Sequence, residues 1–566
     1  MTEPSFSCRR SCYLRISPAG EEMTERKPRG WKCMPYIIGN ETFERLAGAG
    51  SSANLVVYLV NQFHMKPVES INVVNIFYGS SNFATLVGAF ASDAYLGRYK
   101  TLAYASVVSF LGMLMLTFTA SLTQLRPPSC STPSEKPNDC PPPSGFKLSF
   151  LYLSMSLLVV GAGGILPCTL PFGVDQFDRN TEHGRRALTS FFNWFYFTAA
   201  FTLFFAITVM SYVQNSISWP IGFGIPTFLM LLAIVLFFLG SRIYVLVAPE
   251  GSIFSGIPSQ FITKLPCTQK FPYLNKAAIE LPGEVNPENS NRTKPWRLCS
   301  VQQIEEVKCL LRIIPIWVSG ILLYVAFTQQ LTFAVLQSLK MDRRLGHFSV
   351  PPGSVGAVSF LGLALSLPVY DRIFVPAVRR FTKLEQGITM LQRQGTGLVI
   401  SVLAMVVAAV VERKRRNKSV EGGGTATMSV MWLAPQLMLM GITDAFNLVG
   451  QIEFYNKEFP EQMQSIAGSL IFLTFGFSSY LSSFFVSLAR KATGGEGRKS
   501  WVEDDLDEGR LDYYYYMIAV LGVVNFLCFL ICARSYIYKG MMPPLEEGGG
   551  EEEEDGSNVE GDRDTR

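Results

Sequence analysis

Segments of about 20 consecutive, mostly apolar residues recur along this chain, and that length is what an α-helix needs to cross a ~30 Å hydrocarbon core. The clearest are residues 102–122 (LAYASVVSFLGMLMLTFTASL), 148–170, 189–212, 219–247 and 514–533. They are apolar all round rather than along one stripe, which argues against a large soluble all-α enzyme, whose helices keep a polar face. Composition agrees. Of 566 residues, 48% are hydrophobic, 13% aromatic and only 17% charged, against roughly 25% charged in a soluble domain. The chain is expected to be an all-α polytopic membrane protein embedded in a lipid bilayer.

Apolar stretches and breakers together predict twelve spans, near 34–62, 70–93, 101–122, 148–170, 189–212, 219–247, 305–336, 352–372, 388–411, 428–453, 465–489 and 514–536. The widest polar interval, 248–303, divides them into two sets of six. This is the arrangement of major facilitator transporters, in which two six-helix bundles rock about a site near the membrane midplane. The expected domains are a cytoplasmic tail 1–33, a six-helix bundle 34–247, a cytoplasmic linker 248–303, a second six-helix bundle 304–536 and a tail 537–566. That last tail carries GGGEEEEDG, an acidic run expected to be disordered.

Lysines and arginines near span ends indicate orientation. Arg26, Lys27, Arg29 and Lys32 precede the first span, and Arg98, Lys100, Arg179, Arg185, Arg186, Arg372, Arg379, Arg380 and Lys383 follow even-numbered ones. All fall on the cytoplasmic side if both termini are inside. The run ERKRRNKS at 412–419 and Lys340, Arg343 and Arg344 then fall on the opposite side, so the second half leaves the orientation ambiguous. The first apolar run is followed by no small-residue cleavage site and reads as a span, not a signal peptide.

Charged residues inside apolar segments mark function, because an ion at the centre of a span costs ~2.5–3.5 kcal/mol on the insertion scale. Glu41, Glu44 and Arg45 in GNETFERLAG are spaced i, i+3 and i+4, and so share one helix face. Acids in a first helical turn would be the bland reading, but the apolar MPYIIG precedes them. Two acids sharing one cation can exchange a proton when the pairing changes. A second marker is GAFASDAYLGRYK, 88–100. Gly88 permits close helix contact, and Asp93 and Arg98 bracket a short turn, spaced like the charge latch between helices of major facilitator transporters. A third is PFGVDQFDRNTEHGRRALTSFFNWFYF, 171–197, with Asp175 and Asp178 ahead of an aromatic-rich helix.

Other chemistry is sparse. Cys130 and Cys140 share the Pro-rich loop LRPPSCSTPSEKPNDCPPPSG, and could pair if it faces an oxidising compartment. The net charge of +4 is spread out and forms no nucleic-acid footprint. No nucleophile–base pair, metal cluster or phosphate loop suggests an enzyme, and no cofactor is implied.

The stretches NETFERL, SDAYLGRYKT, FGVDQFD, SFFNWFYF, KPWRLCSVQQIEEVK and EFPEQMQSIAGSL follow one another between residues 30 and 537. In that order they resemble the plant nitrate and peptide transporter family, within the proton-dependent oligopeptide transporters. The resemblance implies that Glu41, Glu44 and Arg45 serve proton coupling. It also implies a basic residue in the fourth span, after a Gly-Gly pair, facing an acid in the tenth. Here GAGGILPC places Leu166 at the basic position, while GITDAFNL supplies Asp444, so the usual salt-bridge switch lacks its cation. A histidine thought to contact nitrate in a relative is replaced by Phe327. Arg45 is then the remaining intramembrane cation, with Thr328, Gln329 or Gln330 as polar contacts and Trp194, Tyr324 and Phe327 narrowing the cavity. Thr101 matches a threonine regarded as a phosphorylation switch in a relative, although a helix-capping role is favoured here.

The branch resembled carries nitrate at low affinity or glucosinolates. The expectation is therefore a proton-coupled symporter of nitrate, its partners a small anionic solute and protons, in the plasma membrane or alternatively the vacuolar membrane. A larger organic anion or a non-transporting homologue is the alternative. Peptides fit less well, since a zwitterion needs paired charges and Leu166 removes one.

Overall fold

The computed structural model describes residues 30–127, 143–178, 181–247, 271, 273–274, 301–383, 387–421, 428–459, 464–495, 499–536 and 538. Cys130 and Cys140, nearly all of the 248–303 linker and both terminal tails up to Arg29 and beyond Tyr538 lie outside the described residues.

The described chain is helical apart from a two-residue antiparallel pair, Arg344–Leu345 with Phe348–Ser349. The first half comprises α1 (Met34–Ser52), α2 (Leu55–Phe63), α3 (Pro67–Ala91), α4 (Arg98–Ser121), α5 (Gly145–Val174), α6 (Glu182–Phe205) and α7 (Trp219–Leu239). The second comprises α8 (Val301–Leu339), α9 (Ala357–Val369), α10 (Val375–Thr382), α11 (Met390–Glu421), α12 (Ala434–Glu458), α13 (Gln464–Thr493) and α14 (Leu511–Arg534). Twelve helical segments stand where twelve spans are expected, with α1–α2 and α9–α10 each forming one. Eight of the described helices are long and apolar enough to cross a membrane. The segments around α1–α2, α3, α6 and α12 are not among those eight, and α1 and α12 carry Glu41, Glu44, Arg45 and Asp444. Helices that line a polar interior need not be apolar all round.

Small residues set how closely helices approach. The run Gly161-Ala162-Gly163-Gly164 lets α5 lie against two neighbours at once. A Cβ on Gly163 would meet Ala84 of α3 at 2.8 Å, and one on Gly161 would meet Ser109 of α4 at 2.6 Å. A Cβ on Gly88 would run into the Gly163 carbonyl, which is the close contact expected of Gly88. Gly163→Val is expected to cost about 1–3 kcal/mol or more in packing strain, seen as reduced monodisperse protein in detergent.

Span ends differ from the hydropathy estimate because helices continue past the apolar stretch. α11 runs to Glu421 and carries the basic run inside it. There Arg415 and Glu412 are fully buried. Arg415 donates to both Glu412 oxygens at 2.8 and 2.9 Å and to Asp507 at 2.7 Å. Gln337 donates to Glu412 at 2.6 Å, and Lys340 to Asp505 at 3.0 Å. Lys414 lies 3.8 Å from the Trp432 ring centre. Two of the basic residues that conflict with the expected orientation, Lys340 and Arg415, are thus built into the fold against the acidic segment EDDLDE, 503–508.

Cross-half contacts run along α3 and α13. Ser80 and Tyr480 hydroxyls lie 2.7 Å apart, Asn75 donates to Ser482 at 3.2 Å, and Phe83 packs on Phe477 with ring centres 4.8 Å apart. Tyr212 stacks on Phe348 at 5.8 Å, and Gly353 packs against Asn54. These last contacts lie at the end where α1 stops. At the end where α1 begins, Val87, Phe90 and Tyr95 stand exposed.

Candidate functional site

α1 begins with Pro35 in its first turn, a position where proline is tolerated because its missing N–H has no partner in any case. About two helical turns further on, Glu41 and Glu44 are buried, at 1% and 9% exposure. Arg45 bonds the Glu41 carboxylate, and its guanidinium carbon lies 5.1 Å from the centre of the Phe195 ring on α6, a cation–π distance. The Arg45 side chain keeps 35% exposure, so part of it stays open to a ligand. Among the described residues Glu44 has no hydrogen bond or ion pair. The cluster therefore holds two carboxyls and one cation, and that cation is engaged with only one of them.

Leu166 lies on the same side. It is 38% exposed and sits about 120° around α5 from the exposed Val160, at ~100° per residue. Thr169, one turn on, interacts with Glu41. The face of α5 that bears Leu166 is thus the one turned toward the α1 acids. Trp194 is half-exposed and shares a stripe of α6 with the exposed Phe201 and Phe205, while its neighbour Phe195 is the ring beneath Arg45.

In the second half, Asp444 is buried and accepts a 2.8 Å hydrogen bond from the Tyr324 hydroxyl. The acid that lost its expected cation has gained a neutral donor. Tyr324 is held by Phe475 and Phe327, with ring centres 4.7 and 5.9 Å away. Among the described residues no hydrogen bond or ion pair joins the Glu41–Glu44–Arg45 cluster to Asp444.

Three expectations take a more specific form in the structure. Gln329 and Gln330 are fully buried, and their side-chain amide nitrogens tie α8 to neighbouring helices. Gln329 donates to the Ser482 carbonyl at 2.9 Å and its hydroxyl at 2.6 Å, and Gln330 to the Ala404 carbonyl at 2.9 Å. Next, Arg98 is held mainly by Asp175, with Nη1 2.6 Å from both carboxylate oxygens, whereas Asp93 is 4.0 Å away. The turn between them closes on Gly97, whose φ of +77° suits glycine. Finally, Gly97 rather than Thr101 caps α4. Thr101 is buried, and its hydroxyl donates back to the Gly97 carbonyl at 3.0 Å.

A helical fold with eight described helices long and apolar enough to cross a membrane, and with buried acids on α1 and α12, fits a multi-pass membrane transporter of the major facilitator fold. Solved structures with this fold include an auto-inhibited POT family peptide transporter, at TM-score 0.68 and 20% identity, covering 92% of this chain and 99% of that one. Another is the POT family transporter PepTSo, also at TM-score 0.68 and 20% identity, covering 90% and 99%. NRT1/PTR FAMILY 2.13 of Arabidopsis thaliana is 48% identical over 94% of this chain and 91% of its own length. NRT1/PTR FAMILY 2.12 of the same plant is 46% identical over 91% and 94%. The profile of the POT family, PTR2, matches residues 99–502. The chain belongs to the POT family, whose members are membrane transporters rather than enzymes and move small solutes with protons.

Proposed function

We propose that this protein is a proton-coupled symporter of nitrate, of low affinity, in the plasma membrane with both termini cytoplasmic. The observation that carries the reading is the buried Glu41–Glu44–Arg45 cluster, in which Arg45 is bonded to Glu41 and remains partly open. An anion approaching Arg45 competes with Glu41 for the guanidinium. A proton taken up by the acid pair removes that competition, so anion and proton bind together. On release to the other side, Arg45 returns to Glu41. Tyr324–Asp444 stands in the opposing bundle as the polar group the cavity closes against. The exposed helix ends where α1 begins, and the contacts where it stops, fit an alternating-access cycle between residues 34–247 and 304–536, with Arg98–Asp175 and the nearby Asp93 as its latch.

A larger organic anion, such as a glucosinolate, is favoured by one observation: Leu166 places an apolar side chain where the resemblance implies a cation, which suits an anion bearing an apolar body. The test is uptake of labelled nitrate into oocytes at acidic and neutral external pH with the membrane potential recorded. Inward current and faster uptake in acid are expected. Absence of nitrate uptake, with the protein confirmed at the surface, would overturn the nitrate reading and leave the larger anion or a non-transporting homologue.

A further inference from the structure

The latch in the first half has three parts: a π-helical turn, Ser92–Leu96, after α3; Arg98 at the start of α4; and Asp175 at the end of α5. The corresponding helices of the second half carry the same parts. A π-helical turn, Tyr370–Phe374, joins α9 to α10; Arg393 lies in the first turn of α11; and Glu453 lies near the end of α12. Such turns insert one extra residue and often mark functional sites. Arg393 is 8% exposed. Its Nη2 donates to the Ala445 carbonyl at 3.1 Å, and its Nη1 is 3.7 Å from Glu453. Its guanidinium carbon lies 4.2 Å from the Tyr370 ring centre, and Tyr370 in turn packs on Phe446 with ring centres 5.2 Å apart. Gly450 lies beside it, at a point where a Cβ would come 3.2 Å from Gln394 Cγ and 3.5 Å from Arg393 Cγ. Arg393 Nε is buried with no hydrogen-bond partner.

We infer that Arg393, with Glu453 and Tyr370, is a second latch that positions Asp444. The carbonyl it holds belongs to the residue next to Asp444, so Arg393 ties the register of that acid to the π-turn between α9 and α10. The two latches differ in tightness. Arg98 sits 2.6 Å from both Asp175 oxygens. Arg393 is 3.7 Å from Glu453, which Lys457 also engages at 2.8 Å. The second latch is thus partly engaged in this conformation, with a donor in reserve at Nε. Bending at the π-turn would move Tyr370, and through Arg393 the α12 segment that carries Asp444. Lysine can reach one of these groups but cannot stack on Tyr370 while also donating in two directions.

The inference rests on the transporter reading only for its uptake arm, and a second arm is independent of substrate. Hydrogen exchange is measured on the purified full-length chain, wild type, Arg393→Gln, Arg393→Lys and Glu453→Gln. Arg393→Gln is expected to speed exchange about tenfold or more in residues 365–378 and 440–458, with 98–121 and 145–174 unchanged. Glu453→Gln and Arg393→Lys should move the same segments by less. In oocytes, Arg393→Gln should reduce the ratio of nitrate uptake in acid to uptake at neutral pH at equal surface abundance. A merely structural loss would scale both uptakes alike. Unchanged exchange in the two segments, or equally faster exchange throughout the second half, would overturn the latch. Should the wild type carry no nitrate, the nitrate reading fails and the exchange arm alone decides.

Discussion

Glu44→Gln is expected to abolish the stimulation of uptake by external acid while leaving the protein at the surface. Glu44 is the carboxyl for which the cluster provides no cation, since Arg45 is bonded to Glu41 and lies over Phe195. Gln has nearly the same volume and keeps a polar end, so α1 packing is preserved while the exchangeable proton is lost. The change expected is in the acid-to-neutral uptake ratio, which falls to about one, because removing a proton-transfer group acts on the coupled step. Glu41→Gln differs. It also removes the carboxylate that competes for Arg45, so it is expected to raise solute binding at neutral pH toward its acid value while removing coupling. Acid stimulation that survives Glu44→Gln at equal surface abundance would remove Glu44 from the mechanism.

Arg415→Ala is expected to give a large loss of stability. It leaves Glu412 fully buried with its charge uncompensated and Gln337 as its remaining hydrogen-bond partner. Breaking a buried pair from one side costs about 3–5 kcal/mol, whereas replacing both partners by apolar groups of similar volume is often neutral. The double variant Glu412→Leu with Arg415→Met should therefore recover much of the thermal stability in detergent. Asp507 then loses a partner too, but it is 20% exposed and Lys340 is 3.7 Å away, so its cost is smaller. A single variant that melts with the wild type, or a double variant no better than the single, would show that the network contributes little.

The main features of the fold were legible in the residues. Hydropathy runs of span length and the α1 charge spacing are local properties, and they placed the helices and the Glu41–Glu44–Arg45 face. The close approach at Gly88 was legible for the same reason. What failed were assignments that treated polarity as exposure. Gln329 sits in a span beside Phe327, and the sequence offers no sign that its amide is already taken by Ser482 on another helix. Thr101 was read as a helix cap because it follows a turn, but the positive φ falls four residues earlier, at Gly97. Arg393 had no motif to draw attention to it, although an arginine opening an apolar helix was the available signal.

The residues alone fixed the approximate limits of the helices, because each membrane helix must satisfy its own backbone hydrogen bonds whatever its neighbours do. They also determined which helix carries the acid cluster, since i, i+3 and i+4 share a face in any α-helix. Only the tertiary structure decided which charges meet. Arg98 and Asp175 are 77 residues apart, Arg415 and Asp507 are 92, and Tyr324 and Asp444 are 120. At those separations, pairing follows from how helices pack and rotate against one another, which no local pattern encodes.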